Sequence, residues 1–235
     1  MWFLHGPQAT AVRVRTGAGR NPDAINRVMP IVGGAFMSFI SFDYSRNHSA
    51  TIADATGQTQ ITTRSGRVGI QNLRIGQLIR TADGRDVPVT WIGRQTIVTR
   101  FGGDRVGMVR IRAGALNNHT DLLVTSDHGL IVDGFVVNAS ALVNRRTITF
   151  EPLADLGERF TVYHIETPSH DVIMANGTRA ETYLNMPGRR AFDNYEEYLD
   201  LYGSEPRIIP SPMSRIGTAR LLPTDLCIRT RACLD

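Results

Sequence analysis

The sequence predicts an all-β domain of short antiparallel strands, on three observations. Between Gln60 and Ala175 the apolar and β-branched residues come in runs too short for helices, each closed by turn residues. Three Asx-Gly pairs, Asp83-Gly84, Asp133-Gly134 and Asn176-Gly177, sit between such runs, and this dipeptide supplies the positive φ angles that tight hairpin turns need. Helical spacers are nearly absent, whereas each crossover in a parallel sheet would take about a dozen residues or more.

Taken in order, the expected strands are 60–63, 77–81, 87–92, 96–99, 106–112, 122–125, 130–132, 135–138, 147–150, 161–166 and 172–175. One helix is expected after Gly188, because Phe192, Tyr195, Tyr198, Leu199 and Tyr202 recur at three- and four-residue steps and Gly203 offers a stop. Such an aromatic stripe is best explained by packing on the sheets. Residues 1–53 lack a clean period and carry loop chemistry such as Gly17-Ala18-Gly19 and Asn21-Pro22, so they read as a leader or extension. The main domain is placed at 54–186. Residues 187–235 are expected to hold the helix and then, with Pro206, Pro210, Pro212 and Pro223, an extended tail.

The 235 residues, 42% of them apolar, suffice for one well-formed core. All 26 basic residues are Arg, scattered without a stripe interleaved with aromatics, so no nucleic-acid partner is expected. The six histidines and the two cysteines, Cys227 and Cys233, show no zinc-ligand spacing, so neither a metal nor a cofactor is expected. The two thiols are expected to be reduced. The most apolar stretch, 28–42, is interrupted by Pro30, Gly33 and Gly34 and falls short of the ~20 residues that cross a bilayer, so no membrane span is expected. Arg13, Arg15, Arg20 and Arg27 precede it like a signal n-region, but it starts late and no A-x-A site follows, which leaves cytoplasmic and secreted locations both open.

Thr125-Ser126-Asp127-His128 contains the three side-chain types of a hydrolase triad, yet sequence neighbours at a strand end cannot fold onto one another as a triad must. The segment can instead set the Thr125 hydroxyl and the His128 imidazole to face one peptide bond. Residue by residue, a surface or turn histidine is the plainer description of His128.

Leu122–Val132, written LLVTSDHGLIV, and Thr161–Gly177, written TVYHIETPSHDVIMANG, together resemble the Hint domain, the hedgehog/intein autoprocessing fold. Thr125 and His128 match its Thr-x-x-His block, and Tyr163, His170 and Ala175-Asn176-Gly177 match its late block. The opening block fits in part through 60–66 and 73–79, and the likeness, which spans roughly 50–185, is closest to bacterial members. The resemblance implies a compact β horseshoe of two pseudo-symmetric halves whose substrate is its own polypeptide. On the same resemblance, the first residue of the domain would attack the preceding carbonyl, Thr125 would hydrogen-bond the scissile amide, and His128 would act on the departing nitrogen.

Two departures from the family pattern bear on activity. Asp54, in Ala53-Asp54-Ala55-Thr56-Gly57, stands where the family has its starting Cys or Ser, and a carboxylate cannot perform the acyl shift. His164 stands where the family commonly has Asp. The leading expectation is therefore a self-processing module that has lost its nucleophile, with Thr125, His128, His164, His170 and Asp54 as its site. The alternatives are an active autoprotease using Ser49, Thr51, Thr56 or Thr59, and a non-catalytic β-rich carbohydrate- or envelope-binding module, for which the sequence offers only Trp91 and scattered tyrosines.

Overall fold

The Asx-Gly pairs turn the chain where the sequence places them. Asn176 and Gly177 have φ of 50° and 90°, Asp133 and Gly134 have φ of 50° and 83°, and Gly84 has φ of 86°. Two successive positive φ angles match the right-handed twist of the flanking strands, which is why Asn or Asp followed by Gly is selected there. The computed structural model describes residues 41–43, 59–102, 107–183, 188–204 and 213–232. All of these lie in one compact unit, residues 35–235.

In chain order the strands are β1 (Ser41–Asp43), β2 (Gln60–Thr63), β3 (Gly66–Gly69), β4 (Leu78–Arg80), β5 (Asp86–Pro88), β6 (Trp91–Val98), β7 (Met108–Ile111) and β8 (Leu122–Thr125). They continue as β9 (Gly129–Val132), β10 (Phe135–Asn138), β11 (Ile148–Glu151), β12 (Arg159–Glu166), β13 (Val172–Ala175), β14 (Thr178–Glu181) and β15 (Arg215–Ile216). The α-helices are α1 (Thr99–Gly102), α2 (Tyr195–Tyr202) and α3 (Thr224–Thr230). Among the described residues the strands form a nine-stranded sheet, β15-β10-β9-β14-β13-β2-β4-β5 with β3 on β2, and two three-stranded sheets, β1-β12-β6 and β11-β7-β8. The described pairings are antiparallel except β10 with β15.

The runs expected as two strands, 87–92 and 96–99, are divided differently. β6 is one eight-residue strand because β12 offers an unbroken partner, from Trp91↔Glu166 to Val98↔Arg159. Gly93, in its middle, leaves the space that the Phe192 ring fills; a Cβ there would collide with it.

Two apolar clusters hold the sheets together. One gathers Ile61, Ile79, Val109, Ile111, Leu122, Val124, Leu130, Val137, Ile165 and Ile173, all buried. The other is largely aromatic: Trp91 meets Phe192 at 5.0 Å, Tyr198 at 5.3 Å and Tyr183 at 6.3 Å between ring centres, each edge to face. Such pairs add roughly 0.5–1.5 kcal/mol each beyond the burial of area. Trp91 is fully buried. It therefore cannot present a face to a ligand, and the reading as a Trp91-based binding module is withdrawn.

Helix α2 forms where the aromatic spacing predicts, with Tyr198 buried in that cluster. Gly203 ends it at φ 73°, donating its N–H to Leu199 O at 2.7 Å. The segment beyond it corrects the expectation of an extended tail. Residues 215–216 form β15, and α3 packs Leu226 into the main core. Apolar positions in this stretch, Ile216, Leu222 and Leu226, supply the burial that its prolines do not prevent. The expectation of reduced thiols is also corrected: Cys227 on α3 is disulfide-bonded, and the sequence holds one other cysteine, Cys233. No helix among the described residues is long and apolar enough to cross a membrane.

Candidate functional site

The Thr125–His128 segment is the corner at which the chain leaves one sheet for another. β8 belongs to the small sheet with β7, β9 to the nine-stranded sheet, and the corner between them is a tight turn closed by the His128 N–H donating to Thr125 O at 3.0 Å. Neighbouring backbone fastens it on several sides. Ser126 donates its N–H and its hydroxyl to Gly107 O, each at 2.8 Å. Ser126 O accepts from the Ser140 N–H at 2.8 Å, and His128 O accepts from the Ala139 N–H at 3.0 Å.

Within this corner Thr125 and His128 are both buried. The His128 ring meets the His164 ring, carried by β12, edge to face at 5.6 Å, and His164 meets Tyr183 at 4.9 Å. His170 joins from the loop before β13. Its Nε2–H donates to Glu181 Oε2 at 3.3 Å, while the other carboxylate oxygen of Glu181 accepts the Gly129 N–H at 2.9 Å. The structure thus gathers His128, His164 and His170 around one carboxylate, with Thr125 buried at the other end of the same turn; that carboxylate is one the residue-level reading missed. Asp54 lies outside the described residues, as do Ser49, Thr51 and Thr56. Thr59 is buried at the head of β2, with its carbonyl accepting the Ile70 N–H.

Electrostatics set the His128 and His164 rings against one anion. Burial pushes His128 down to about 4, with the Arg215 charge in the same direction and Glu181 opposing. Burial likewise holds His164 well below the usual imidazole range, and the nearby His128 adds to the effect. Burial alone would raise Glu181, but the hydrogen bonds from His170 and Arg215, with the charges around it, outweigh that and bring it down to about 2. Asp127, in the turn itself, goes the other way: burial raises it to about 6 against its own backbone N–H and the charge of Arg215. At neutral pH the His128 and His164 rings are therefore uncharged beside a permanent anion, an arrangement suited to donating and relaying hydrogen bonds.

Glu181 was legible in principle. The two-residue Asn176-Gly177 turn fixes the pairing Ala175↔Thr178, and counting along it places Glu181 opposite Val172, beside the His170 loop. Arg215 had no such signal, since its position depends on β15 docking back onto β10. Among the described residues no group of three or more His, Cys, Asp or Glu side chains is placed to hold a metal ion.

No curated protein matches the sequence. Solved structures with a similar chain path include a bacterial intein-like domain from Clostridium thermocellum, 15% identical, covering 63% of this chain and all of that one at a TM-score of 0.43. A DnaB intein from Synechocystis sp. PCC 6803 is 13% identical over 63% of this chain and 100% of its own, with a TM-score of 0.41. The MchDnaB-1 intein is 14% identical over 53% and 96%, with a TM-score of 0.38. The Hint domain family matches residues 55–187, a stretch that takes in the corner turn, both late histidines and Glu181 and makes up more than half of the chain. On that match the chain belongs to the Hint domain family, and the β unit just described is a Hint-type autoprocessing domain.

Proposed function

We propose that this domain is a self-processing module stalled for want of a nucleophile, with its own polypeptide as substrate. The observation that carries the reading is a contrast. His128 is fully buried and held neutral beside Thr125 in a corner fastened by backbone hydrogen bonds, while position 54 carries a carboxylate. In the family reaction a thiol or hydroxyl adds to the preceding carbonyl, the C–N bond breaks, and the departing nitrogen takes up a proton as the ester or thioester forms. Thr125 would hold the scissile amide and His128 would serve the nitrogen. A neutral ring is suited to that second task, because the nitrogen of the tetrahedral adduct is far more basic than an amide and can collect a proton from a weak donor.

The leading boundary, with residues 1–53 ahead of a domain that starts at 54, belongs to the same proposal, with cleavage falling between Ala53 and Asp54. Asp54→Cys supplies a thiol next to that bond. With an added thiol, intact mass measurement is expected to show release of residues 1–53 from the variant and an unbroken 26.0 kDa native chain. His128→Ala in the same background is expected to slow release by ~10²–10⁴-fold, the usual worth of a positioned acid or base. Rapid cleavage of the native chain, or a well-folded Cys variant that never reacts, overturns the proposal.

A further inference from the structure

Residues 213–232 lie beyond the stretch that the Hint family matches, yet they are built into the domain. β15 pairs with β10 through Val136↔Arg215 and Val137↔Ile216, and the Val136 N–H donates to Ser214 O at 3.0 Å. Asn144 Nδ2 donates to Thr230 O at 2.8 Å, holding the far end of α3. The pairing delivers one side chain to the site. Arg215 Nη2 donates to Glu181 Oε2 at 2.5 Å, and Nη1 donates to Asn138 Oδ1 at 3.0 Å and reaches Asp127 O at 3.5 Å. One guanidinium thus spans the turn, the end of β10 and the buried carboxylate. Only a planar fork with several N–H groups can do this; a single ammonium cannot. Its side chain is 37% exposed against 3% for Glu181, so Arg215 forms the solvent side of the cluster.

We propose that Arg215 is a positioning residue of the Thr125/His128 site, supplied by the C-terminal segment. By clamping Glu181 it fixes the acceptor of the Gly129 N–H, and with it the backbone that carries His128. The proposal rests on reading Thr125 and His128 as the processing pair. His128 is faced by His164 from β12, by Glu181 from β14 and by Arg215 from β15, with Asp127 beside it in the turn.

The test compares Arg215→Gln and Arg215→Lys with the full-length chain, in the native background and in Asp54→Cys, with Arg229→Gln, an exposed side chain of α3 paired with Asp133, as the control. Three quantities are read: the titration of the His128 ring by NMR, exchange of the Gly129 amide relative to its strand neighbours, and thiol-induced cleavage by mass. Removing the cation in Arg215→Gln is expected to move the His128 titration upward, speed Gly129 exchange at least ten-fold and slow cleavage at least ten-fold. Arg215→Lys keeps the charge, so the titration is expected to stay near the native value while Gly129 exchange rises and cleavage slows several-fold. Arg229→Gln should leave all three unchanged. A folded Arg215→Gln chain with native titration and native exchange overturns the proposal. If that variant does not fold, Arg215→Lys decides, and native Gly129 exchange there overturns it. If Asp54→Cys never cleaves, the processing reading has failed, and the titration and exchange still decide the role of Arg215.

Discussion

Glu181 stays ionised in a nearly sealed position because every direction around it offers a donor: the Gly129 amide, the His170 ring and the Arg215 guanidinium. A buried charge with one donor removed costs far more than the donor is worth when paired, so the cluster is sensitive to small displacements. Gly129 is the residue that permits the approach, since a Cβ there would fall inside the Glu181 carboxylate and against Val136. Gly129→Ala is therefore expected to cost ~1–3 kcal/mol through overpacking, read as a lowered midpoint in chemical unfolding. The backbone amide at position 129 should also exchange faster than in the native chain; an alanine variant as stable as the native chain would show that Glu181 can withdraw at no cost. Arg189 shows the same logic away from the site. Buried between Tyr183 and Tyr198, it pairs with both oxygens of Glu166 at 2.8 and 3.0 Å.

Among the elements, the β13–β14 hairpin does more than reverse the chain. Asn176 adopts φ 50°, accepts the Gln60 N–H on its side chain at 2.7 Å and donates its amide to Asp121 O at 2.8 Å, so one turn residue ties β2 to the loop before β8. Asn176→Ala loses both bonds and places a residue with no αL preference at positive φ. A cost of about 2–4 kcal/mol is expected in a denaturant melt, against less than about 1 kcal/mol for Asp133→Ala if the tie, rather than the turn conformation, sets the difference. Hairpins of this kind are the most legible part of the fold, because Asx-Gly acts locally and needs no distant partner. Helix α2 was legible for a related reason: its aromatic period is intrinsic, and Trp91 only has to accept it. The strand 178–181 and the single long β6 were not, since β14 earns its burial from β9 and β6 takes its length from β12. At the site, Thr125, His128, His164 and His170 were visible as residue types in blocks. Their common centre was visible only in part: the Asn176-Gly177 turn fixes where Glu181 falls, but Arg215 meets the cluster only because β15 docks on β10.

For the whole molecule, the buried titrating groups set the response to acid. His128 titrates at about 4 when folded and 6.5 ordinarily, so between those values the unfolded chain binds more protons and stability falls as pH falls. His164 acts in the same sense. Glu181, lowered from 4.5 to about 2, adds a contribution that is complete above 4.5 and is lost as pH drops toward 2. Asp127 opposes them between about 6 and 3.8, where the folded chain takes up its proton first. The net expectation is a loss of a few kcal/mol on going from neutral pH to pH 4, seen as a falling urea midpoint; a midpoint flat across that range contradicts the burial of the two rings. The topology also imposes an order in time. β2 is completed on one side by β13, and the Gln60–Asn176 tie joins positions 116 apart. The last cation at the corner turn arrives only with Arg215. A chain emerging from the ribosome therefore carries Thr125 and His128 well before the strands and the cation that enclose their turn exist, and the buried cluster is complete only when nearly the whole domain has been synthesised.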